Sequence, residues 1–76
     1  MENAGYLIIM DENYEGNNGV ALGRKETSLG PEWVTWGFTD CEDGTRAYYW
    51  GHYFRHELSA LKDYHERLLR EYERMV

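Results

Sequence analysis

Trp33-Val34-Thr35-Trp36-Gly37-Phe38-Thr39, followed by Asp40-Cys41-Glu42-Asp43-Gly44 and then Thr45-Arg46-Ala47-Tyr48-Tyr49-Trp50, is the stretch that decides the fold. Its first segment alternates. Val34, Trp36 and Phe38 fall on one side, Trp33, Thr35 and Thr39 on the other, which is the period of two of a strand with one apolar face. The acidic pentapeptide reads as a hairpin loop with Asp43-Gly44 at its tight point. From Thr45 to about Tyr53 the chain returns as a second strand, dense in Tyr48, Tyr49, Trp50 and Tyr53.

Upstream, Gly5 to Met10 is apolar and β-branched and predicts a buried strand that stops at Asp11-Glu12-Asn13. Residues 13–19 are turn formers. Val20-Ala21-Leu22 predicts a second short strand, broken by Gly23-Arg24-Lys25, and Thr27 to Pro31 reads as a linker because Gly30-Pro31 disfavours a regular element across it. Downstream, from about Arg55 to Met75, the period becomes helical. Leu58, Leu61, Leu68, Tyr72 and Met75 recur at spacings of three, four or seven, with His65 in the missing place. The opposite face offers Lys62–Glu66, Asp63–Arg67, Glu66–Arg70 and Arg67–Glu71 at i,i+4.

Four short strands (about 5–53) and one helix (about 55–75) predict a single α+β domain over residues 1–76. An antiparallel sheet would carry the helix on one face, ββββα in two layers. The other face would then expose aromatic side chains, and large apolar patches mark interfaces. Twenty-one helical residues span ~31 Å, whereas four strands make a sheet under ~20 Å wide. The helix end would overhang. A homodimer is therefore expected, through the aromatic residues Trp33, Trp36, Tyr48, Tyr49, Trp50 and Tyr53 or through the helix end with Leu69 and Tyr72.

The chain has 76 residues, and eight of its twelve aromatics lie between 33 and 54. A domain this small buries only ~60 % of its unfolded surface, and aromatics supply the most buried area per residue. Residues 1–45 carry nine acidic and two basic side chains and residues 46–76 carry five and six, so −7 and +1 give the total of −6. That balance argues against direct nucleic-acid binding, whose affinity rests on Lys and Arg. The acidity collects at Asp11, Glu12, Glu15, Asp40, Glu42 and Asp43, a candidate acidic patch. The start lacks a basic n-region, and Tyr6 to Met10 is too short for a signal peptide or a membrane span. One unpaired Cys suits a reducing compartment. The expectation is a cytoplasmic protein with no membrane contact.

Chemical motifs are few. Asp11 to Gly16 begins like an EF-hand loop, but Leu22 stands where a bidentate Glu is required, so a solvated acidic hairpin is the better reading. His52 and His56, four apart, with Cys41 from the neighbouring loop, form a candidate zinc site that lacks a Cys-x-x-Cys pair; histidines packed among aromatics explain them more simply. Ser28 and Ser59 lie in no nucleophile elbow, and Asp40, Glu42 and Asp43 disfavour a Cys41 thiolate. No cofactor and no enzymatic activity are expected.

Trp33-Val34-Thr35-Trp36, then Tyr49-Trp50-Gly51-His52-Tyr53-Phe54, then a helix with Ala60, Asp63-Tyr64 and Arg67-Leu68 resembles small uncharacterised accessory proteins of mobile elements in Gram-positive gut bacteria. The resemblance covers the last half to two-thirds of the chain. It implies an intracellular bacterial protein and carries over no catalytic or ligand residue. The leading expectation is a non-enzymatic protein-interaction module. The alternative is an acidic inhibitor or nucleic-acid mimic that occupies a basic surface.

Overall fold

The computed structural model describes all 76 residues. Five strands precede one helix: β1 (Glu2–Asn3), β2 (Tyr6–Glu15), β3 (Asn18–Thr27), β4 (Gly30–Asp40), β5 (Arg46–Phe54) and α1 (Glu57–Arg74). The strands lie in sequence order β1-β2-β3-β4-β5, each antiparallel to its neighbour. The α+β class, the β4–β5 hairpin and the final helix agree with the sequence reading. The fifth strand is the two-residue β1, too short to announce itself by periodicity.

Three upstream boundaries differ from expectation. β2 does not stop at Asp11 but runs to Glu15, because Met10 to Glu15 pair with β3 on one side only while β1 covers just Tyr6 and Leu7 on the other. An edge strand tolerates charged side chains that a central strand would not, and charges there also discourage edge-to-edge aggregation. β3 passes straight through Gly23, which pairs with Ile8 and Val34. Thr27 to Pro31 is no linker. Ser28 and Leu29 form a tight turn in which the Thr27 hydroxyl donates to the Gly30 carbonyl at 2.6 Å and accepts from the Leu29 N–H at 3.1 Å, and Gly30 adopts a φ of 105° that an L side chain resists.

Each face of the sheet carries a buried cluster. Under the helix, Val20, Leu22 and Trp33 pack with Ala60, Tyr64 and Leu68, bordered by Tyr14, Phe54 and Leu61. On the far side Tyr6, Ala21, Val34, Trp36 and Phe38 form a second cluster bordered by Ile8 and Tyr48. This overturns the expectation of an open aromatic face. Register shifts in β2 at Ile8/Met10 and Asn13/Glu15, and between β4 and β5 at Thr35/Gly37, mark bulges, and bulges bend strands and increase their twist. The curled sheet lets its rings close over one another. Tyr6 meets Trp36 edge-on at 5.6 Å and Tyr48 meets Trp36 at 5.2 Å.

Two cations complete this roof: the Arg46 guanidinium lies 3.7 Å above the Phe38 ring and the Lys25 ammonium 4.5 Å above Tyr6. Asp40 at 2.6 Å and Asp11 at 2.8 Å hold Arg46 in place. Burial works against the Arg46 charge, but the bonds to Asp40 and Asp11 outweigh it and raise its pKa. The same contact to Arg46 lowers the pKa of Asp40. Tyr6, desolvated and donating to Glu32, is pushed up to about 12.

Candidate functional site

The helix decides where a site can form, because it is rotated from the position its leucines suggest. Ala60, Tyr64, Arg67 and Leu68 face the sheet. Ala60 is small enough to let the helix approach closely, and Tyr64 fills the space beside it. Desolvation, with Glu12 nearby, pushes the Tyr64 hydroxyl up to about 12. The row Leu58, Leu61, His65, Leu68, Tyr72 and Met75 lies about a quarter of a turn around the helix, and only Leu68 is fully buried. Leu58 remains 78 % exposed, and Leu69, beside this row, 57 %. Tyr72 donates its hydroxyl to Glu12 at the edge of β2. This flank of α1 is thus apolar and looks outward on the β2 side.

The other flank is charged and faces β5. Asp63 accepts from the buried Thr35 hydroxyl, and the Nδ1 atom of His52 lies 3.0 Å from the same carboxylate. Arg67 is only 8 % exposed. Its Nη1 donates to the Thr35 carbonyl at 3.2 Å, to the Thr35 hydroxyl at 3.1 Å and to the Trp50 carbonyl at 2.9 Å. Desolvation lowers the Arg67 pKa, with Asp63 acting in the opposite sense. No carboxylate lies within ion-pair distance of Arg67 or Arg70. None of the four i,i+4 pairs expected on this helix forms; Arg74 pairs instead with Glu71 at i,i+3, 2.9 Å away.

Between this flank and the sheet lies a cleft of about 320 Å³, open on one side. Arg67, Arg70, Glu71 and Arg74 form one wall, and Tyr49 and Trp50 the other. Gly37 makes room for that second wall: a Cβ there would stand 2.6 Å from the Tyr49 ring. Trp50 meets Tyr49 nearly at right angles, with ring centroids 4.9 Å apart, and is 76 % exposed. It sits at the β5 bulge, where Trp50 and Gly51 together oppose Trp36.

The Trp50 backbone has φ = 54°, a left-handed conformation that costs a non-glycine residue ~1–2 kcal/mol. The exposed indole offsets little of that through packing. Trp50→Gly is therefore expected to raise stability by about 0.5–1 kcal/mol in denaturant unfolding. A loss of stability would show that indole contacts, and not backbone strain, dominate at this position.

The structure disperses the sequence's candidate residues. Trp33 lies under the helix and Trp36 under the aromatic roof, so neither offers a surface. Tyr48 borders that roof, Tyr49 lines the cleft, and Trp50 and Tyr53 are exposed on β5. Of the acidic residues, Asp11 and Asp40 are bound to Arg46 and Glu12 to Tyr72. Asp43 accepts from the Thr45 N–H and hydroxyl within its own loop, leaving Glu15 and Glu42 exposed at that end of the sheet.

The three metal candidates do not converge. His52 is on a strand, and His56 is the extended residue before the helix. Cys41 lies at the far end of β5 from His56, a strand length of roughly 30 Å, with its Sγ beside the Thr39 carbonyl. The Asp11 to Glu15 segment, calcium-like in sequence, is strand with alternating faces. No group of three or more His, Cys, Asp or Glu residues is placed to hold a metal ion, and no helix is long and apolar enough to cross a membrane.

Arg67, Arg70 and Thr35 were missed from sequence. The signal was present in Ala60, Tyr64, Arg67, Leu68 and Glu71, a second helical row whose charged members disguise it as a solvated face. No family model matches the chain, no curated protein is significantly similar to it, and no solved structure matches it.

Proposed function

We propose that the protein is a non-enzymatic interaction module that works as a homodimer, joined through the outward flank of α1. The observation that carries this is that α1 leaves Leu58, His65, Leu69, Tyr72 and Met75 exposed on its outward flank, while Leu61 and Leu68 of the same row pack into the core. Leu58, Leu61, His65, Leu68, Tyr72 and Met75 follow a 3-4-3-4-3 spacing, the interval at which side chains of paired helices interlock. A second copy of the same helix meets that spacing. The dimer buries the leucines that the monomer leaves in water, at about 25 cal/mol for each Å² of apolar surface removed.

Light scattering at ~100 µM protein is expected to give twice the 9.1 kDa chain mass. Leu58→Glu combined with Leu69→Glu is expected to return the 9.1 kDa species with its helix content intact. Both positions are exposed in the monomer, so the double variant tests association and not folding. A wild-type monomer at that concentration overturns the reading.

A further inference from the structure

We propose that the cleft between α1 and β5 is a binding site for a small oxyanion, carboxylate or phosphate, carried on a flat apolar body. The anion would dock on Arg67 and Arg70 and the flat body in the corner formed by Tyr49 and Trp50. The site stands apart from the outward flank of α1, so its fate and that of the dimer are independent.

A guanidinium withdrawn from water is costly unless it is both paired and hydrogen-bonded. Here Nη1 of Arg67 is satisfied three times over by Thr35 and Trp50. Nε and Nη2 donate to no protein group, although Arg67 is buried and lines the cleft. Asp63 reaches Arg67 through the Thr35 hydroxyl, which donates to Asp63 and accepts from Nη1, and through the His52 Nδ1 atom, 3.0 Å from Asp63 and 3.4 Å from Nη1. Donors on a planar guanidinium suit a carboxylate or phosphate edge, and such charge-assisted bonds are the strong ones.

The surroundings point the same way. In a chain of net charge −6, the cleft gathers Arg67, Arg70 and Arg74 against one carboxylate, Glu71, already engaged by Arg74. Arg70 forms neither an ion pair nor a hydrogen bond, so it is free to turn toward a ligand. The cleft volume of about 320 Å³ lies at the small end of ligand sites, which are typically ~300–1,000 Å³. Tyr49 and Trp50, almost perpendicular, offer one ring a stacking face and an edge together. The strained backbone at Trp50 holds an indole at the rim where the folding core gains little from it, and such strain clusters at binding sites.

The test uses the full chain and reads ligand-induced changes in tryptophan emission, backed by calorimetry. Trp33 and Trp36 are buried away from the cleft, so Trp50 reports. Benzoate, adenosine monophosphate and inorganic phosphate are the anionic probes, with benzamide and adenosine as neutral counterparts. At least one ring-bearing anion is expected to bind about tenfold or more tightly than its neutral counterpart. Benzoate alone would identify a carboxylate ligand and adenosine monophosphate alone a phosphate; either supports the site.

Arg70→Ala, which removes no hydrogen bond or ion pair of the folded chain, is expected to weaken that binding about tenfold. Trp50→Gly should weaken the ring-bearing anions and leave inorganic phosphate unchanged. Equal affinity for charged and neutral probes overturns the proposal. So does binding indifferent to Arg70→Ala, or no saturation by any probe below ~10 mM.

Discussion

Phe38→Ala is expected to remove most of the stability of the fold, bringing it to the edge of unfolding at room temperature. Phe38 is the largest side chain that the fold excludes completely from water, and truncating a buried Phe costs about 3–5 kcal/mol. It lies at the centre of the far-side cluster, packed beneath Arg46 and beside Tyr48. Removing the ring also removes the face on which Arg46 rests, so the cavity opens toward solvent at the point where the sheet has no second layer. Small domains have about 5 kcal/mol to lose. Denaturant unfolding or far-UV circular dichroism is the measurement, and a loss under ~1 kcal/mol would show that the roof collapses onto the gap.

Gly19→Ala ranks beside it, for the opposite reason. A Cβ at Gly19 would stand 2.3 Å from the tip of the Phe38 ring and 2.5 Å from the Glu12 carbonyl oxygen. Neither neighbour can give way, because the ring is enclosed and the carbonyl belongs to the β2 backbone. Overpacking of this kind costs about 1–3 kcal/mol and sometimes more, and the upper end applies where backbone is involved. Gly16 supplies the control. It has φ = 53°, but a Cβ there would meet nothing within 4 Å, so Gly16→Ala carries only the left-handed penalty of ~1–2 kcal/mol. If Gly19→Ala is no more damaging than Gly16→Ala, then packing against Phe38 and Glu12 is not what keeps position 19 a glycine.

These two residues also show why parts of the fold were legible and others were not. Phe38 belongs to a clean alternation with Val34 and Trp36, in a strand paired on both sides, and its face could be read directly. Gly19 reads in sequence as one more turn former beside Asn17 and Asn18, yet it is the second residue of β3 and buried. Nothing local distinguishes a glycine that bends the chain from one that lies beneath a ring. The same ambiguity hid the length of β2, where Asp11 and Glu12 look like a loop but are strand residues reaching Arg46 and Tyr72.

The helix misled in another way. Its leucines mark the more hydrophobic row, yet only Leu68 of that row is fully buried. The sheet instead took the row whose small Ala60 permits close approach. The cleft was invisible for the same reason, because Arg67 and Arg70 look like partners for Asp63 and Glu66 until the rotation of the helix is known. Sequence periodicity locates an apolar row; it does not say which partner will cover it.

The strand order has a kinetic consequence. Every strand pairs only with its neighbours in the chain, so the sheet closes through short loops, and low contact order favours rapid folding. The helix is the last of these elements to be synthesised, and it covers Val20, Leu22 and Trp33 of the sheet. During synthesis that face waits in water for residues 57–74, the interval in which the nascent chain is most exposed to wrong partners.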